Sequence, residues 1–74
     1  MARPKQIPDI SRKFVGRVLK DRRKKAGLTQ IDISGALRIS QSAWSKFENG
    51  LHEPTVILFM RFCVLTNTPM NVLI

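Results

Sequence analysis

One cysteine, one histidine and no tyrosine in 74 residues leave few ways to staple or equip a fold. Cys63 alone closes no intrachain disulfide, and Cys63 with His52 falls short of the four ligands of a structural zinc site. No metal and no cofactor is therefore expected, and a single thiol fits a reducing compartment. Strand signals are missing as well: there is no alternating apolar run and no Asn-Gly hairpin. The longest apolar run, Val56 to Met60, stops at Arg61, far short of the ~20 residues of a membrane span. No apolar run follows the basic start Met1–Lys5, so no signal peptide is read. The expectation is a soluble, cytoplasmic protein. A chain this short buries only roughly 60% of its unfolded surface, enough for one domain but not for a cleft with its own lid. No acid–base pair, nucleophile–base pair or metal cluster is visible, so an enzyme is not expected and no catalytic residue is assigned.

Acidic residues are scarce too: five, against thirteen Lys and Arg, for a net charge of +8. The excess is one-sided. Residues 1–25 hold ten of the basic groups and two of the acids, whereas residues 26–74 hold three of each. Such asymmetry points to a polyanion, either nucleic acid or an anionic membrane surface. A basic amphipathic helix lying on a membrane would account for residues 12–25 but leave the rest of the chain unexplained, so no membrane partner is expected. The plainer alternative is a solvated, solubilising face.

The spacing of apolar residues predicts an all-α chain. Pro4 and Pro8 among basic groups mark residues 1–10 as a flexible arm, on which Arg3 and Lys5 could track a groove. Asp9 or Ser11 can cap a first helix from about residue 12 to Ala26, with Phe14, Val15, Val18 and Leu19 inward and Gly27 as its stop. Thr29, with Asp32 three residues on, opens a second helix whose inner stripe is Ile33, Ala36 and Leu37. Ser40 caps a third, with Ala43, Trp44 and Phe47 inward, closed by Asn49-Gly50. Thr55 caps a fourth through about Leu65, and Thr68-Pro69 begins a short closing turn with proline at the first helical position. The fourth helix reads with a core stripe of Val56, Phe59, Met60 and Cys63. Cys63 and Trp44 are read as packing residues, and His52 as a surface residue.

Two short helices joined by a tight turn at Arg38-Ile39 form the informative segment. It runs from Gly27-Leu28-Thr29-Gln30 to Phe47-Glu48-Asn49-Gly50, followed by Pro54-Thr55. In these features the chain resembles the phage repressor and Cro family of helix-turn-helix DNA-binding proteins, over about residues 12–74. The resemblance implies a compact five-helix domain over residues 11–74. It also implies a recognition helix at 40–49 and a sequence-specific regulator of transcription that binds double-stranded DNA. Phage and mobile-element repressors, restriction-system controllers and antitoxins all belong to the family, so a bacterial or phage-encoded, nucleoid-associated protein is implied. A recognition helix shows polar residues to the major groove, and Gln41, Ser42, Ser45, Lys46 and Asn49 share one face by steps of three and four. By resemblance Gln41, Ser42 and Lys46 read base edges, with Ser45 a fourth candidate, and Gln30 meets a phosphate. Arg22, Lys24, Arg38 and Asn49 are the further phosphate candidates. No effector domain is expected, so regulation would rest on concentration, dimerisation or a second protein.

This chain departs from the family pattern at several positions. Arg38 stands where the family's turn commonly has glycine, and Ser34 where it has a buried alanine. Ile31, Ile57, Leu58 and Val64 occupy positions the family usually leaves polar. A helix apolar on every side must be covered on more than one, so a homodimer interface is expected at Ile57, Leu58, Val64, Met70 and Leu73. The rival of another class is an antitoxin-like module that binds a second protein through helix four as well as DNA. Finally, two apolar stripes end in opposite charges: Val15 and Leu19 step by four onto Arg23, and Trp44 steps by four onto Glu48. A lone buried charge is costly, so Arg23 and Glu48 are expected to pair, as the resemblance also implies.

Overall fold

The computed structural model describes residues 10–74, which form four α-helices and a closing 3-10 turn. The arm expected at residues 1–10, with Arg3 and Lys5, and the alternative cap Asp9 lie outside the described residues, apart from Ile10. Helix α1 spans Arg12–Lys25, α2 Gln30–Leu37, α3 Gln41–Glu48 and α4 Val56–Thr66, and the turn is Met70–Leu73. The five-helix expectation is thus corrected to four. The closing segment bonds three residues back, Val72 N–H to the Pro69 carbonyl at 3.1 Å and Ile74 N–H to the Asn71 carbonyl at 3.0 Å, the pattern of a 3-10 turn, and Pro69 precedes the turn rather than occupying its first position.

Each α-helix starts on a hydroxyl that accepts a hydrogen bond from the backbone N–H three residues on: Ser11 from Phe14, Thr29 from Asp32, Ser40 from Ala43 and Thr55 from Leu58. At Thr29 the Asp32 carboxylate also accepts from the Thr29 N–H at 2.9 Å, completing a reciprocal capping box. The stops are left-handed residues: Gly27, Arg38, Gly50 and Asn67 all have positive φ. Arg38, at φ 59°, carries a Cβ into that region at a cost of roughly 1–2 kcal/mol.

Val15, Leu19, Ile33, Leu37, Trp44 and Phe62 form the buried core. Trp44 is fully buried, stacked on Phe62 at 5.2 Å between ring centroids and met edge-on by Phe47 at 5.8 Å. This stack fixes the rotation of α4. Phe62 and Cys63 face inward and Leu58 and Phe59 pack against the core, whereas Val56 is 76% and Met60 42% exposed. The core stripe expected at Val56 and Met60 is therefore corrected. Ala36, expected on the inner stripe of α2, is exposed, whereas Ser34 is buried, its hydroxyl donating to the Ile31 carbonyl. Cys63 is buried, and burial pushes its thiol pKa up.

Gly16 lets α1 touch the end of α3. A Cβ at this position would lie 2.6 Å from the carbonyl oxygens of both Phe47 and Glu48. Gly16→Ala should therefore lower stability by roughly 1–3 kcal/mol through overpacking, despite alanine's ~1 kcal/mol advantage in a helix. Urea unfolding reads this, and an unchanged midpoint would contradict the close approach.

Candidate nucleic-acid interface

The third helix is held from behind by one carboxylate. Glu48, at the last position of α3, accepts from Arg23 Nε at 2.6 Å and from Arg23 Nη2 at 3.1 Å. It also accepts from Gln30 Nε2 at 3.1 Å and from the indole N–H of Trp44. The third guanidinium nitrogen, Nη1, donates to the Leu28 carbonyl at 2.8 Å. Arg23 comes from α1, Gln30 from α2 and Trp44 from α3, so the group joins these three helices. Both partners of the ion pair are buried. Burial pushes the Glu48 carboxyl up, but the hydrogen bonds from Arg23, Gln30 and Trp44, with the Arg23 charge, outweigh it and hold the pKa below its ordinary value.

The opposite face of α3 is wet. Gln41, Ser42, Lys46 and Asn49 are exposed and Ser45 is half-buried. Asn49 Nδ2 donates to the Ser45 hydroxyl at 3.2 Å. Among the described residues Gln41, Ser42 and Lys46 have no side-chain partner, so their donors and acceptors are available to a ligand. Gln30 and Asn49 each spend one of two amide hydrogens within the chain and keep the other.

The remaining expected residues divide into groups. Arg22 is half-buried and Lys24 exposed, and neither forms an ion pair among the described residues. Arg12 is engaged with Glu53 at 2.9 Å and Lys25 with Asp21 at 3.2 Å, both on the surface. The Arg12 hydrogen bond holds the Glu53 carboxyl below its ordinary value. Arg38, expected at a phosphate, borders the groove between α2 and α4 beside Ile57 and Arg61. None of Gln41, Ser42, Ser45 or Lys46 lines that groove. Of the residues expected to be open for a second copy, Ile57, Val64 and Met70 are exposed. Leu58 and Leu73 are half-buried against the core, Leu58 through the rotation of α4 and Leu73 from the closing turn. Sequence reasoning missed the roles of Gln30 and Trp44 at Glu48 and the contact at Gly16. The i to i+4 step from Trp44 to Glu48 was the available signal for the indole bond.

Comparison with known proteins places this arrangement. The helix-turn-helix domain family matches residues 15–72. The ImmF control region 10 kDa protein of Bacillus phage phi105 is 36% identical over 61 residues, 82% of this chain and 68% of that protein. The clp gene regulator ClgR from C. glutamicum shares the fold with a TM-score of 0.74 and 25% identity, over 81% of this chain and 78% of that one. The restriction-modification controller protein C.AhdI from Aeromonas hydrophila, at 16% identity, has a TM-score of 0.76 over 85% of this chain and 96% of that one, a likeness of fold. With its two capped helices, its left-handed turn and these relatives, the chain belongs to the phage repressor and Cro-type helix-turn-helix family of DNA-binding transcription regulators.

Proposed function

We propose that this protein is a small repressor or controller that binds a palindromic site on double-stranded DNA as a homodimer, with α3 in the major groove. The observation that carries the reading is the two-sidedness of α3. Trp44 and Glu48 anchor one side in the core, while Gln41, Ser42 and Lys46 stand free on the other. A rigid helix with an unpartnered polar edge suits recognition, because little ordering remains to be done on binding. Gln41 is suited to bridge adenine N6 and N7, and Lys46 to reach guanine O6 and N7. Ser42 and Ser45 extend the contact along the groove. The spare amide hydrogens of Gln30 and Asn49, with Arg22 and Lys24, would hold phosphates. The basic excess in residues 1–25 favours the same polyanion.

The second copy is assigned to the open side of α4. Val56, Ile57, Met60 and Val64 form a continuous exposed apolar arc there, with Met70 beside it. Patches of this kind mark interfaces, and a two-fold contact buries the patch on both copies at once.

Gln41→Ala tests the base-reading role. It should cost roughly 1–3 kcal/mol on the preferred site and relax preference at one base pair, measured by titration against that site and against random duplex. Lys24→Ala should instead weaken both duplexes alike and make the salt dependence shallower. An equal loss on both duplexes for Gln41→Ala would contradict the assignment.

A further inference from the structure

We propose that the groove between α2 and α4 is a docking site for an acidic amphipathic helix of a different protein, which competes there with the second copy. The docking stands on its own; the competition rests on the dimer reading above. The groove encloses about 630 Å³ between the end of α2, the outer side of α4 and the closing turn. Its apolar floor includes Leu37, Ile57, Val64 and Leu65, and Arg38 and Arg61 stand on its border. A helix whose apolar residues recur at i, i+3, i+4 and i+7 fits such a surface.

The two arginines decide which occupant is favoured. Both are exposed, and neither has an ion-pair partner among the described residues. No acidic residue borders the groove. A second copy is poorly supplied to answer them. Of the four acids in the described residues, Asp21 pairs with Lys25, Glu53 pairs with Arg12, Asp32 closes its capping box and Glu48 is buried on Arg23. An apolar helix carrying its own carboxylates supplies what the copy does not, and guanidinium–carboxylate pairs can be bidentate. Arg38 adds an independent observation. It holds a left-handed backbone that glycine would adopt without strain, at φ 59°, and strain of this kind concentrates where a side chain has work to do. Because Ile57, Val64 and Met70 belong both to the groove and to the proposed dimer face, the two occupants exclude each other. The acidic helix would thus release the protein from DNA.

The test uses a fluorescein-labelled 16-residue designed peptide with leucines at i, i+3, i+4 and i+7 and glutamates on both flanks. A control peptide carries lysine at every glutamate. Anisotropy titrations are run on the full chain, on Arg38→Gly, on Arg61→Gln and on Val56→Glu. Val56 lies outside the groove. The glutamate peptide should bind at least tenfold more tightly than the lysine control. Arg61→Gln and Arg38→Gly should each weaken it several-fold, the latter while raising Tm. Val56→Glu should bind it as well as, or better than, the wild type. Equal binding of the two peptides, or binding unchanged in both arginine variants, overturns the docking. Sedimentation of the peptide-free wild type judges the dimer separately. A monomer that still binds the glutamate peptide upholds the docking and removes only the competition. A dimer that fails to bind it overturns the docking, and the competition with it, and leaves the dimer reading standing.

Discussion

Glu48→Ala should lower the stability of the fold by roughly 3–5 kcal/mol, the cost of stranding a buried charge. The variant leaves the Arg23 guanidinium, the Gln30 amide and the Trp44 indole without their common acceptor. Domains of this size are stable by only roughly 0.05–0.15 kcal/mol per residue, so much of the variant would be unfolded. Glu48→Gln is the informative companion. It keeps the volume and one acceptor, but turns an amide donor toward Arg23. It should fold, with an intermediate loss, on urea titration. The pH dependence follows from the depressed Glu48 pKa. Its contribution is fully present above the unfolded carboxyl pKa, about 4.3. It is lost as pH falls through the lower folded value, because the unfolded chain takes up the proton first. Wild-type stability should therefore decline below about pH 4.3, with a flatter decline in Glu48→Gln. A loss below about 1 kcal/mol for Glu48→Ala, typical of exposed pairs, would contradict the anchoring role.

Val64→Glu should produce a folded monomer whose affinity for a two-half-site DNA falls by roughly 10²–10⁴-fold, the gain usually conferred by linking two binding units. Val64 is 74% exposed, so its replacement leaves the core intact. Ile57→Glu should act in the same way at 63% exposure. Leu58→Glu is a different experiment, because Leu58 packs against the core and a charge there threatens the fold itself. Sedimentation velocity at micromolar concentration, with circular dichroism to check folding, separates these outcomes. A Val64→Glu protein that still dimerises would place the contact elsewhere on the molecule.

These residues also show what the sequence made legible. Helix starts were readable because a Ser or Thr hydroxyl and the N–H three residues on form a local signal, as at Ser11, Thr29, Ser40 and Thr55. The pairing of Arg23 with Glu48 was readable because a charge ending an apolar stripe demands an opposite charge nearby. The rotation of α4 was not readable. Val56–Thr66 is apolar on nearly every side, so its periodicity carries no phase, and the Trp44–Phe62 stack chooses the buried face. Gly16 was equally silent: a glycine within an amphipathic helix reads as a weak helix former until another backbone is placed against it. On α3, sequence identifies the polar edge, but only the fold reveals that Asn49 is tied to Ser45 while Gln41 and Lys46 are left free.

The central claim is that α3 reads base edges in duplex DNA while a second copy doubles the contact. Selection from a random duplex pool by the unmutated 74-residue chain tests it most directly. The account predicts enrichment of an inverted repeat whose half-sites lie about one helical turn apart, roughly 34–36 Å between centres, with Gln41→Ala relaxing the same base pair in each half. A pool that stays random after repeated rounds, or one that yields a single unrepeated half-site, would contradict it.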